Sequence, residues 1–303
     1  MHKFPVSKVR SAEAVGVRLP LAVARDVVAL AKPRLALLVV CTAAGGFWLA
    51  PGRHDTLAAL ALLLGTSAVV GGANALNNLL ERDVDALMRR TRQRPLPAGR
   101  LEPWVAAAVG LGLPAVALPA LALFANGLTA TLASLALFTY VVVYTPLKQH
   151  SSLALFVGAV PGAIPPLMGW TAATGHLDAG GLALFALLFC WQIPHFLAIS
   201  MYLKEDYARG GLRVFALEHS DRTTRAWSAA TSVLLVPVSL ALLPLGLAGP
   251  VYGFAAVLLG AGLSAFALSG LSSGSGPRWA RSFFLLTLAY LTLLFAALLV
   301  SAR

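Results

Sequence analysis

Asn74-Ala-Leu-Asn77-Asn78-Leu-Leu-Glu81-Arg82-Asp83-Val-Asp85-Ala-Leu-Met88-Arg89-Arg90-Thr-Arg92-Gln-Arg94-Pro95-Leu-Pro97-Ala-Gly99 is where a long apolar run, residues 57–80, turns polar. Continued as a helix, the run sets Asn77, Glu81 and Asp85 at i, i+4 and i+8, a drift of about 40° around the axis, so the three share one face. Two carboxylates and an amide with no cation between them require positive charge from outside, and hard oxygen donors suit Mg²⁺. The spacing predicts a Mg²⁺–diphosphate cradle. The arginines that follow, Arg89, Arg90, Arg92 and Arg94, offer planar forks for phosphate oxygens, and Pro95 and Pro97 stop the helix. A charged loop at a membrane edge is the plainer alternative. It accounts poorly for Asn74, Asn77, Asn78 and Glu81, which stand where an apolar helix should still be apolar and where burial without partners is costly.

Around this seam the composition excludes an ordinary soluble domain. Of 303 residues, 58% are hydrophobic and 12% charged, against about 25% charged in soluble domains, and the mean hydropathy is +0.80. Apolar runs at roughly 35–50, 57–80, 104–124, 128–146, 152–174, 179–202, 226–246, 250–271 and 281–301 approach the ~20 residues that cross a bilayer. An all-α, nine-span membrane protein is expected. The net charge of +11 suggests nucleic acid at first sight. All but Arg53 and Arg303 of the 23 lysines and arginines, however, fall in the N-terminal segment and the even-numbered connections. Topology explains that pattern, with the N-terminus cytoplasmic and no nucleic-acid partner. Cys41 and Cys190 lie in apolar runs without metal-ligand spacing and read as small core residues.

Residues 1–34 divide from the 35–303 membrane domain as a basic cytoplasmic segment. Arg25 and Asp26 interrupt its apolar stretch, so it lacks a cleavable signal's core and reads as an amphipathic helix lying on the surface. Lys148, one turn beyond Tyr144 and two beyond Tyr140, can add a cation at the cytoplasmic face or simply snorkel. Pro161, Gly162, Pro165, Pro166 and Gly169 predict a kinked or interrupted fifth span, opening room for a ligand or serving packing. Gln192 and His195 lie three apart inside the sixth span, and an intramembrane histidine is a functional candidate, with a hydrogen-bonded core histidine as its competitor. Lys204, Glu205 and Asp206 follow at the end of that span. Four spans separate this cluster from Glu81 and Asp85, so both lie on one membrane face and can serve one site.

Asn77-Asn-Leu-Leu-Glu81-Arg-Asp83-Val-Asp85, with Arg92-Gln-Arg94-Pro-Leu-Pro-Ala-Gly99, resembles the UbiA-type intramembrane prenyltransferases. Tyr144-Thr-Pro-Leu-Lys148, Gly162-Ala-Ile-Pro-Pro-Leu-Met-Gly-Trp170 and Trp191-Gln-Ile-Pro-His-Phe, with Lys204-Glu-Asp-Tyr207, resemble the heme-farnesylating branch of that family. Gln149–Ala154 and Leu212–Ala216 depart from its pattern. The resemblance implies nine helices around a central cavity, with the chemistry at the cytoplasmic side of a cell inner membrane. It implies Mg²⁺ on Asn77, Glu81, Asp85 and Asp206, and diphosphate cations from Arg92, Arg94, Lys148 and Lys204. Catalysis would then rest on Asn77, Glu81, Asp85, Lys204 and Asp206. The substrates implied are farnesyl diphosphate and heme B, whose vinyl group captures the allylic cation and, after water adds, gives heme O for heme A and terminal-oxidase assembly. Heme A synthase is the partner implied downstream. His195 and Gln192 are the residues implied for heme, with neutral imidazole a suitable axial donor to iron. Two alternatives stand beside this reading, a prenyltransferase with a quinone-type aromatic acceptor and a secondary transporter whose broken span lines a pathway.

Overall fold

The computed structural model describes residues 20–52, 54–272 and 275–301. The basic tail before residue 20, and both basic residues expected on the far side, Arg53 and Arg303, lie outside them. Every regular element among the described residues is helical. In chain order these are α1 (Pro20–Leu30), α2 (Pro33–Leu49), α3 (Thr56–Leu80), α4 (Arg82–Leu87), α5 (Pro103–Phe124), α6 (Gly127–Leu147), α7 (Ala154–Thr174), α8 (Ala179–Tyr202), α9 (Lys204–Arg209), α10 (Phe215–Glu218), α11 (Asp221–Leu240), α12 (Pro250–Ser269) and α13 (Pro277–Ser301).

Seven of these helices are long and apolar enough to cross a membrane, and α1 with α2, bent by 48°, makes an eighth if the pair is one span. The ninth long helix, α11, begins Asp221-Arg222-Thr-Thr-Arg225, and this charged first turn separates it from the rest. The span boundaries follow local chemistry. Prolines open α2, α5, α12 and α13, where a missing N–H costs nothing. Asp55, Asn126, Asp178 and Ser220 accept hydrogen bonds from the first turns of α3, α6, α8 and α11, satisfying amides that the helix leaves unpaired.

Three expectations change in the structure. The polar seam is not one straight helix, because the chain bends at Glu81 (φ −101°, ψ 6°) between α3 and α4. The i to i+4 ladder nevertheless runs through the bend, with Glu81 N donating to Asn77 O at 3.0 Å and Asp85 N to Glu81 O at 2.7 Å, so the shared face survives. The same device recurs after α8, where Leu203 (φ −106°, ψ 21°) separates it from the six-residue α9. The fifth span is uninterrupted despite Pro161, Pro165 and Pro166. Its glycines serve contact, since a Cβ on Gly169 would meet Ala43 O, and one on Gly46 would meet Pro166 O, each at 2.0 Å. α2 and α7 therefore cross backbone to backbone, a packing mode that small residues permit in membranes. Cys41, finally, is exposed on α2 and not in the core.

Side-chain bonds tie the connections before α2, after α3, after α6, after α8 and after α12 to one end of the bundle. Asp26 pairs with Arg100 at 3.0 Å, Lys32 with Asn77 at 2.9 Å, Asp206 with the backbone of Arg89 at 2.8 Å and Arg225 with Ser275 O at 2.5 Å. Of the two polar clusters expected on one membrane face, Asp206 reaches the Arg89–Arg90 turn that follows Asp85, and not Glu81 or Asp85 themselves.

Candidate active site

Asn77, Glu81 and Asp85 are 2%, 3% and 1% exposed, which removes the solvated-loop reading for these groups. Each faces a cation. Lys32 Nζ donates to Asn77 Oδ1 at 2.9 Å, Lys148 forms an ion pair with Glu81, and Arg94 Nη1 donates to Asp85 Oδ2 at 2.6 Å. Burial makes such pairs matter, because an isolated carboxylate in apolar surroundings is strongly disfavoured. The second oxygen of Asp85, Oδ1, is buried without a hydrogen-bond partner, and no hydrogen bond supplements the ion pair at Glu81 Oε1.

The cations arrive from three places. Lys32 occupies the turn between α1 and α2 with φ +50°, a left-handed geometry uncommon outside glycine. Asn74 and Asn78 fix that turn by donating to Ala31 O and Leu30 O, each at 3.1 Å. Two of the three amides noted in the seam thus clasp the end of α1, and Asn78 also accepts from Arg94 Nη1 at 3.4 Å, beside Asp85. Lys148 follows α6, in which Thr139–Tyr144 is π-helical. The wide turn lets Thr145 Oγ1 donate to Tyr140 O at 2.8 Å while accepting from Asn77 Nδ2 at 3.2 Å, and such bulges often mark functional positions. Lys148 also lies 5.5 Å from the Tyr144 ring centroid.

The arginine run splits in two. Arg94 turns into the seam, while the Arg89 and Arg90 N–H groups donate to Asp206 Oδ1 at 2.8 Å and Oδ2 at 3.3 Å. Asp206 also accepts from Arg209 at 2.7 Å. Burial pushes its carboxyl up, but the Arg209 bond and then the two backbone N–H bonds outweigh this and hold it below the ordinary range. Both Asp206 oxygens are occupied, so the residue reaches the site through the arginine turn and not beside Glu81 and Asp85. Lys204 pairs with Asp221 at 2.6 Å and is not brought to the carboxylates, and Arg92 is exposed.

His195 and Gln192 face different neighbours. Gln192 Nε2 donates to Ala159 O at 3.1 Å and Leu188 O at 3.2 Å, bracing α8 against α7. The His195 ring stacks on Trp191 at 4.7 Å and lies 4.8 Å from the Phe284 ring, with Nδ1 2.9 Å from Thr287 Oγ1. Thr287 gives its one hydroxyl proton to Phe284 O at 2.7 Å, so it accepts from His195 Nδ1–H. That leaves Nε2 with a lone pair, the form in which imidazole binds iron. Lys32, Thr145 and Thr287 escape a reading by motif because each acts across at least 45 residues.

No three His, Cys, Asp or Glu side chains among the described residues form a closed metal cage. Two carboxylates and an amide oxygen instead fit Mg²⁺, which keeps water and takes phosphate oxygens while holding few protein ligands. A cleft of about 540 Å³ lies between the Arg89–Arg90 turn and the end of α8, walled also by Tyr202, Lys204, Arg225 and Trp279 among others.

Comparisons with known proteins agree with this fold. A protoheme IX farnesyltransferase of Anaeromyxobacter dehalogenans is 62% identical over 97% of this chain and 99% of its own length. One of Myxococcus xanthus is 52% identical over 91% and 94%. The fold matches a solved structure of a digeranylgeranylglyceryl phosphate synthase, TM-score 0.78 at 15% identity, covering 92% of this chain and 98% of that one. It also matches a UbiA homolog from Archaeoglobus fulgidus bound to GPP and Mg²⁺, TM-score 0.64 at 16% identity, over 90% and 99%. The profile of the UbiA prenyltransferase family spans residues 38–299, from the second helix to the last and across both carboxylates and the histidine helix, and this multi-pass membrane chain belongs to that family.

Proposed function

We propose that the chain transfers the farnesyl group of farnesyl diphosphate to a vinyl group of protoheme IX, giving heme O. The observation that carries the reading is the pairing of two sites on one bundle. A buried carboxylate seam with an unpartnered oxygen, ringed by Lys32, Lys148 and Arg94, suits a metal-bound diphosphate. An aromatic-stacked histidine with a free Nε2 suits a heme iron. Relatives 62% and 52% identical carry the same activity in their names.

Asn77, Glu81 and Asp85 would hold Mg²⁺, which supplies positive charge against the diphosphate as it leaves. Lys148 and Arg94 exchange their carboxylate partners for phosphate oxygens, with Lys32 beside them. When the allylic C–O bond breaks, its electron pair goes to the diphosphate, whose new charge these fixed cations stabilise. Apolar side chains of the span interiors keep water from the allylic cation. The vinyl group supplies two electrons for the new C–C bond, and water adds to the carbon left positive, releasing one proton. His195 orients the ring.

The reading includes nine spans, a cytoplasmic N-terminus and a site at the cytoplasmic side of a cell inner membrane, the bilayer being the solvent for both substrates. All described basic connections share one end of the bundle, which supports that orientation through the positive-inside rule. Heme A synthase is the proposed receiver of the product. Purified protein given farnesyl diphosphate, heme and Mg²⁺ should release diphosphate, and chelation with EDTA should abolish the release. A transporter gives none under any of these conditions.

A further inference from the structure

Lys148 stands where α6 gives way to a short turn, so the place of its ammonium depends on what holds that turn. Inside it, Gln149 N donates to Pro146 O at 3.1 Å, and His150 N and Ser151 N to Leu147 O at 2.8 Å each. Two further backbone groups are satisfied from elsewhere in the chain. Lys148 O accepts from Arg213 N at 3.0 Å, and Ser152 N donates to Glu218 Oε2 at 3.2 Å. The turn that carries the partner of Glu81 is therefore gripped at both ends by one segment, residues 213–218.

The segment is brought there by the way α9 ends. Gly211 has φ +67°, and Leu212 N donates back to Tyr207 O at 3.1 Å, a left-handed ending that glycine adopts without strain. Phe215 then buries itself among Leu155, Ala159, Ile193 and Leu197 of α7 and α8, and its ring stacks on His219 at 4.0 Å. That anchor fixes the four-residue α10 and leaves Glu218, its last residue, partly exposed. Bonds from Ser152, and then the charge of Arg213 at 3.9 Å, outweigh burial and hold the Glu218 carboxyl below the ordinary carboxylate range. The bond to the turn is thus made by a carboxylate, the stronger kind of acceptor.

We infer that Glu218 is a positioning residue for the transfer, holding the turn after α6 so that Lys148 stays aimed at the carboxylate seam. Its bonds go to Ser152 and not to the seam, so it acts through Lys148 alone. The role rests on the diphosphate reading of the seam and extends it to a residue 66 positions beyond Ser152. When Lys148 leaves Glu81 for a phosphate oxygen, the ion pair that tethered its head is gone. The grip of Glu218 and Arg213 on its backbone then decides where the charge sits, and a cation displaced by about 1 Å loses much of its value.

The test is calorimetric titration of detergent-purified protein, in Mg²⁺, with farnesyl thiodiphosphate, whose bridging sulfur resists cleavage. Glu218→Ala should weaken binding about tenfold. Glu218→Gln, whose amide oxygen still accepts from Ser152 N–H, should keep most of the affinity. Lys148→Met binds more weakly by itself, and adding Glu218→Ala to it should cost nothing further, because the route from Glu218 to the ligand is already cut. A loss of the same size in the Lys148→Met background overturns the proposal, since Glu218 would then support the fold or another part of the site. Unchanged affinity in Glu218→Ala, with the parent binding normally, also overturns it and leaves the diphosphate reading standing. If the parent does not bind the analogue at all, the diphosphate reading fails, and the role of Glu218 falls with it.

Discussion

Glu81→Gln and Asp85→Asn each lower farnesyl transfer by about 100-fold or more at saturating Mg²⁺, the scale of losing a principal electrostatic stabiliser. Both substitutions keep the shape of the side chain and remove its charge. They also leave Lys148 or Arg94 buried without its counter-ion, a change that commonly costs about 3–5 kcal/mol, so thermal stability falls as well. A second variant separates the two effects. Glu81→Gln/Lys148→Met removes both charges of the pair, should recover stability toward that of the parent, and should stay inactive. Turnover near the parent's in either single variant, per folded molecule, would return the seam to a charged membrane edge.

His195→Ala weakens heme binding by about tenfold or more and shifts the heme absorption bands, while farnesyl diphosphate binding stays nearly intact. The imidazole stacks on Trp191 beside Phe284, and its orientation depends on Thr287. Thr287→Val removes the acceptor for Nδ1–H and frees the ring to rotate or change tautomer. A loss of about tenfold in heme affinity is expected there too, the lower end of what outer partners of metal-bound histidines contribute. Spectra identical to the parent's in His195→Ala would make the residue a packing or proton-transfer group, and the iron ligand would lie elsewhere.

The seam was legible in the sequence because its signal is local. Asn77, Glu81 and Asp85 repeat every four residues, and that regularity outlasts the bend at Glu81 because the i to i+4 bonds persist across it. Seven of the nine expected spans were legible for the same reason, apolar length being a property of one segment. What stayed hidden was relational. Asn74 and Asn78 look like Asn77 in sequence, yet both donate to the carbonyls closing α1, Asn78 while also accepting from Arg94. Lys32 reads as one basic residue among several until its left-handed turn points it 45 residues down the chain at Asn77. Asp206 carries the charge of a metal ligand but spends it on the Arg89–Arg90 backbone. Prolines suggested a broken α7, and glycines were doing something different, admitting the α2 backbone at contact distance.

The proposed reaction joins the diphosphate seam to the stacked His195. It is tested most directly by incubating the purified protein with heme B, farnesyl diphosphate and Mg²⁺, then separating and weighing the porphyrins. One new species is expected, heavier than heme B by one farnesyl group and one hydroxyl, formed in step with released diphosphate and lost in Glu81→Gln. Diphosphate release with heme B unchanged, or farnesyl found on a quinone-type aromatic acid supplied in its place, would contradict it.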